Sequence, residues 1–149
     1  MKKFAFGCAG VLLVLLGVSI AAVHVSMQQI EKASQTMFQQ FAVGAPVIPF
    51  SLAPTGRTYV SFRHDDQKPC LTATVSGDRV TFSYEERHES VDTADFQKKL
   101  VSLREIVAPC TRLSVDVFPS IPIPPRASLV VRYDPQGNVS KLEAPHIWD

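Results

Sequence analysis

Charge of either sign is scarce in this 149-residue chain: 19% of its residues are charged, and 15 Lys and Arg against 14 Asp and Glu leave a formal net charge of +1. A nucleic-acid surface needs a marked basic excess and a solvating acidic tail needs the reverse, so neither dominates this protein. Glycine is also sparse, at seven residues, and none of them builds a phosphate-cradling loop or a nucleophile elbow. The three cysteines, Cys8, Cys70 and Cys110, lack the close pairing of a zinc finger. No motif selects a catalytic residue or a cofactor, and the expectation is a non-enzyme. The length suits one ordinary domain.

One feature is abundant. Lys2 and Lys3 are followed by twenty uncharged residues, Phe4 to Val23 (FAFGCAGVLLVLLGVSIAAV). As a helix this run rises about 30 Å, the hydrocarbon thickness of a bilayer. No Lys or Arg follows until Lys32, so the positive-inside bias keeps Met1 cytoplasmic and sends the remainder outward. The expected location is a bacterial-type inner membrane with the C-terminal domain in the periplasm. Ser19 and Ala21 suit a signal-peptidase site, which makes a cleaved signal the alternative; the apolar run continuing through Val23 favours a retained anchor. Cys8 has no apolar stretch before it and reads as a small apolar helix residue rather than a lipidation site. An oxidising compartment makes a Cys70–Cys110 disulfide the simplest use of the remaining pair, closing a loop of about 40 residues for about 4 kcal/mol.

The sequence then divides into 1–23, a membrane anchor; 24–56, a stalk helix and proline-rich linker; and 57–149, an exported domain. Met27 to Phe41 aligns Ile30, Ser34, Met37 and Phe41 on one helical stripe. Pro46, Pro49 and Pro54 enforce an extended connection through Ala42 to Gly56. In the domain, Leu71, Ala73 and Val75 alternate with hydroxyl residues, as do Val80, Phe82 and Tyr84. Between them Gly77-Asp78 predicts a tight hairpin that opposes Val75 to Val80, Ala73 to Phe82 and Thr74 to Thr81. Tyr59 to His64 alternates weakly and reads as an edge strand. A helix from N-cap Asp92 through Phe96, Leu100, Leu103 and Val107 ends at Pro109. Strands follow at Leu113 to Val117, Leu129 to Tyr133 and Val139 to Leu142, with an extended crossover at Pro119 to Pro125, and Trp148 is expected to dock. The predicted fold is α+β: an N-terminal transmembrane helix, then a mostly antiparallel sheet of five to six strands with one packed helix.

Candidate sites are few. His64, Asp66 and His88 lie in two His-carboxylate clusters that suit zinc or manganese if brought together, although both clusters also read as solvated turns. The surplus apolar residues Met37, Phe38 and Phe41 on the glutamine-rich stalk helix, and Ile48, Phe50, Ile121 and Ile123 beside prolines, fall outside the expected core and are expected to contact partners, namely other membrane or envelope proteins. The layout resembles that of the ExbD/TolR biopolymer-transport proteins; those carry an acidic residue in the span, Phe4 to Val23 has none, and no function is carried over. The leading expectation is an anchored accessory subunit or interaction module. The alternatives are a released, immunity-type binder or inhibitor and a small metal-dependent enzyme.

Overall fold

Alternating apolar and hydroxyl side chains dictate a sheet with one buried face, and that is the architecture of the computed structural model, which describes residues 2–52, 57–65, 68–119 and 126–148. A single long helix, α1 (Lys2–Phe38), leads into strands β1 (Arg57–Arg63), β2 (Leu71–Ser76), β3 (Arg79–Tyr84) and β4 (Arg87–Asp92). A 3-10 turn at Thr93–Asp95 and short helices α2 (Phe96–Ser102) and α3 (Arg104–Val107) lead to β5 (Arg112–Phe118), β6 (Arg126–Tyr133) and β7 (Val139–Trp148). The fold is α+β, with seven antiparallel strands in the order β4-β3-β2-β1-β5-β6-β7. The chain winds outward from β1 to the β4 edge, returns over one face through α2 and α3, and resumes beside β1 with β5.

The Gly77 hairpin has the expected register: Val75 opposes Val80, Ala73 opposes Phe82, Thr74 opposes Thr81 and Thr72 opposes Ser83. Gly77 has φ +62° and Asp78 does not share the positive φ, the backbone of a type II′ turn with glycine first. At the other hairpin, Asp134 Oδ1 accepts from the backbone N–H of Gln136 (3.0 Å) and Asn138 (2.9 Å), while Gly137 takes φ +81°.

Four expectations change. The strand at Tyr59 to His64 is the central strand, paired with β2 and β5 along its length. Its alternation is weak because Thr58 and Ser61 are buried polar residues. The sheet has seven strands because residues 87–92 add an edge strand, whose lone apolar residue, Val91, gives almost no periodic signal. Asp92 makes no capping bond; its carboxylate pairs with Arg79 at 2.7 Å. The helix from Phe96 breaks at Leu103 (φ −100°, ψ 12°), giving two short helices in place of one. The expected crossover at 119–125 and the side chain of Trp148 lie outside the described residues, apart from Pro119.

The covered face packs as one core. Val60, Phe62, Leu71, Ala73, Val80, Phe82, Leu113, Val115, Leu129 and Val131 point into it from five strands and are buried. Two bodies cover them. Over β5, β6 and β7 lies the C-terminal third of α1, whose Ser26, Ile30, Ala33, Ser34 and Met37 are buried. Over the other half, Phe41, Phe50, Phe96 and Phe82 form a chain of ring contacts at 5.5 to 5.8 Å. The segment expected as a linker is pinned to the sheet: Gly44 N–H donates to Val139 (2.7 Å), Val47 N–H to Gly137 (2.9 Å), and Val139 N–H returns a bond to Ala45 (2.8 Å).

In its N-terminal part α1 is different: from Val11 to Val25 its large apolar side chains are exposed, as Leu13 at 72% illustrates. The helix is long and apolar enough to cross a membrane, which fits a transmembrane or signal anchor. Cys70 and Cys110 form a disulfide, their Cα atoms 6.6 Å apart, tying the start of β2 to the end of α3. This agrees with an oxidising compartment.

Because the end of α1 belongs to the core, Met37→Ala is expected to destabilise residues 57–149 by about 2–5 kcal/mol, the cost of a large-to-small change at a buried site. Denaturant unfolding followed by circular dichroism checks this. Cys110→Ala is expected to cost about 2–4 kcal/mol by freeing the loop in the unfolded chain. Non-reducing peptide mapping should recover residues 70 and 110 as one linked pair.

Candidate functional site

Neither of the two sequence-derived sites is assembled as expected. His88 lies on β4, where its Nδ1 is 2.8 Å from Ser83 Oγ, and His64 lies just past the end of β1, 3.5 Å from Thr111 Oγ1. Strands β3 and β2 intervene, so three strand spacings of about 4.8 Å separate the two imidazoles' elements. Asp66 lies outside the described residues, among which no group of three His, Cys, Asp or Glu side chains is placed to hold a metal.

The apolar contact set is corrected more sharply. Met37 is fully buried and Phe41 and Phe50 nearly so, all within the protein's own core, with Phe38 and Ile48 packed against it. These side chains are not a surface awaiting a partner, because the sheet's own β5–β7 and β3 halves receive them. Ile121 and Ile123 lie outside the described residues.

What the fold exposes is the opposite face of the sheet, which no segment of the described chain covers. Antiparallel pairing sorts it into rungs. Ser83, Thr72, Ser61 and Ser114 adjoin in one, and Thr81, Thr74, Tyr59, Asp116 and Ser128 in the next, with Ser128 donating to the Asp116 carboxylate. A third rung, at the end of the sheet near the disulfide, is Arg63, Arg112, Arg132 and Lys141. Four cations on four neighbouring strands are directly opposite one another. Sequence reasoning missed them because they lie 49, 20 and 9 residues apart.

The polar face continues toward the β4 edge as a cleft of about 650 Å³ lined by Lys68, Thr72, Ser83, Tyr84, Arg87 and His88 among others. The β3–β4 turn at its rim places both Glu85 and Glu86 at positive φ, 46° and 63°, a backbone more usual for Asn-Gly. Behind this turn, Glu89 accepts from Lys99 Nζ and from the Tyr84 hydroxyl, joining β4 to α2. Lys99 first, then the Tyr84 hydroxyl, holds the Glu89 carboxyl below its ordinary value of 4.5, while the same carboxylate raises Lys99 and Tyr84. On the covered face, burial pushes the Tyr133 phenol up, and its O–H donates to the Val107 carbonyl at 2.9 Å.

A depressed carboxyl stabilises the fold above its unfolded value and loses that contribution as pH falls through the folded one. Glu89→Gln is therefore expected to lower the denaturation midpoint at pH 7, and its difference from the unaltered protein to shrink between pH 5 and pH 3. Lys99 stays charged across that window, so the loss reports Glu89. Paired denaturant titrations at the two pH values check the convergence.

No family model, no curated protein and no solved structure matches the chain, so its function is argued from the geometry alone.

Proposed function

We propose that this protein is a membrane-anchored, non-catalytic envelope protein that serves as an accessory subunit or interaction module. In this reading residues 4–23 span a bacterial-type inner membrane, Met1 is cytoplasmic, and the sheet domain stands in the periplasm. The observation that carries the reading is the change in α1 at Ser26. Before it, apolar side chains are exposed all round the helix, a surface suited to lipid or to neighbouring spans; from it onward, one stripe is buried on the sheet. Lys2 and Lys3 before the run, and a nearly balanced charge after it, support the orientation. The disulfide supports export.

The functional surface in this reading is the open sheet face, which offers hydroxyls, arginines and a cleft instead of the apolar stalk first expected to make the contacts. Partner proteins of the envelope are its natural class of occupant, since polar rims with arginine and tyrosine suit transient protein contacts.

A second reading has one specific observation behind it. Cleavage after Ala21 leaves every described buried residue of α1 in the mature chain, because among the described side chains burial begins at Ser26. A released binder or inhibitor would thus keep its core intact. Intact mass of the native protein separates the two: the anchored reading expects the full 16.4 kDa in the detergent-soluble membrane fraction. A soluble species lighter by about 2 kDa, the mass of a signal of typical length, establishes release and defeats the anchor.

A further inference from the structure

The rung of Arg63, Arg112, Arg132 and Lys141 is an arrangement that needs an anion. Like charges directly opposite on neighbouring strands destabilise a sheet, and here three such pairs occur in succession. The described chain compensates only one of the four closely. Asp65 lies 3.8 Å from Arg132 Nη1 and Glu143 lies 3.6 Å from Arg132 Nε, both longer than a hydrogen bond. Arg63 Nε spends its bond on the Ser61 hydroxyl at 3.2 Å, and no described carboxylate pairs with Arg63, Arg112 or Lys141. Arg112 Nε is buried with no hydrogen-bond partner among the described residues. A buried, unpaired guanidinium N–H costs more than an ordinary surface group, and the like charges on both sides of Arg112 add to that cost, which an oxyanion held by the rung's outer guanidinium nitrogens offsets.

We propose that this rung is a binding site for a phosphate group, centred on Arg112 between Arg63 and Arg132. Four cations against the carboxylates of Asp65 and Glu143 leave two positive charges, the complement of a phosphate monoester dianion. Guanidinium forks match phosphate oxygens bidentately, and three of them side by side on a rigid sheet are already spaced for one group. The Ser61 and Ser114 hydroxyls, two residues along β1 and β5 on the same face, adjoin the site on its inner side. The site does not depend on whether α1 is retained or cleaved, so its test is independent of the anchor.

The test uses the full chain in mild detergent, with thermal unfolding followed at constant ionic strength while chloride is exchanged for inorganic phosphate, and in parallel while short-chain phosphatidic acid is added against short-chain phosphatidylcholine. The expected result is a saturable rise in Tm with phosphate. In Arg63→Gln/Arg112→Gln the midpoint of that response should move at least tenfold to higher concentration, while ligand-free Tm is equal or higher because the repulsion is relieved. Comparable affinity for both probes identifies the phosphate group itself as ligand; at least tenfold tighter binding of phosphatidic acid identifies a lipid headgroup. Both outcomes support the site. If the double variant fails to fold, Lys141→Gln, on the exposed edge, must still weaken the response. No saturable response to either probe, or an unchanged response in the variants, overturns the proposal.

Discussion

Everything in this molecule rests on one helix being shared between two environments. The stripe of Ser26, Ile30, Ala33, Ser34, Met37 and, past the helix end, Phe41 seals half of the sheet; without it the buried faces of β5, β6 and β7 would meet water. Each fully buried side chain of the size of Ile30 or Met37 contributes about 1.5–3 kcal/mol of transfer free energy, so the docking is strong. The same rod continues without interruption into the exposed apolar segment. No flexible hinge separates them, and the direction of the helix axis fixes the direction of the sheet domain.

That arrangement also explains the contrast between the sheet's faces. Once α1 on one side and the Phe41–Phe50–Phe96–Phe82 ring chain on the other have filled the covered face, nothing in the described chain is left for the other. The open face must therefore be tolerated by water, and its threonines and serines satisfy that. The cation rung does not follow from solubility, since scattered charges would serve as well at lower electrostatic cost. A net charge near zero conceals it: the protein has little surplus charge but segregates it on one rung.

The legible and illegible parts divide along the range of the interactions involved. The Gly77 hairpin could be read rung by rung because its pattern and its turn are local, and the Asp134 turn because its chemistry is contained in four residues. Edge strand β4 was invisible because an edge exposed on both faces carries one apolar residue and no alternation. Central strand β1 was misplaced because Ser61, buried by both neighbours, looks like a solvent-facing serine in one dimension. The apolar stripe ending at Met37 and Phe41 was legible as a stripe, but a sequence does not say whether such a surface meets its own sheet or another protein. The cation rung was beyond reach for the same reason, as it exists only once β1, β5, β6 and β7 are placed in order and in register.

The disulfide gains a second meaning from this topology. Cys70 N–H donates to the Phe62 carbonyl at 2.8 Å, Thr111 N–H to Arg63 at 2.9 Å, and Tyr133 N–H to Thr111 at 2.9 Å. The covalent link between Cys70 and Cys110 therefore closes over the ends of the strands that carry Arg63 and Arg112: continuing the Phe62–Leu71 register places Cys70 opposite Arg63, and Cys110 precedes Arg112 by two residues. Strand ends are where ladders fray first, and repulsion among three guanidiniums would favour fraying at this end above any other. The Tyr133 hydroxyl reinforces the same end by anchoring α3 through Val107. A cross-link near the sheet's most repulsive rung, rather than at a random pair of surface positions, holds the cations at a fixed spacing.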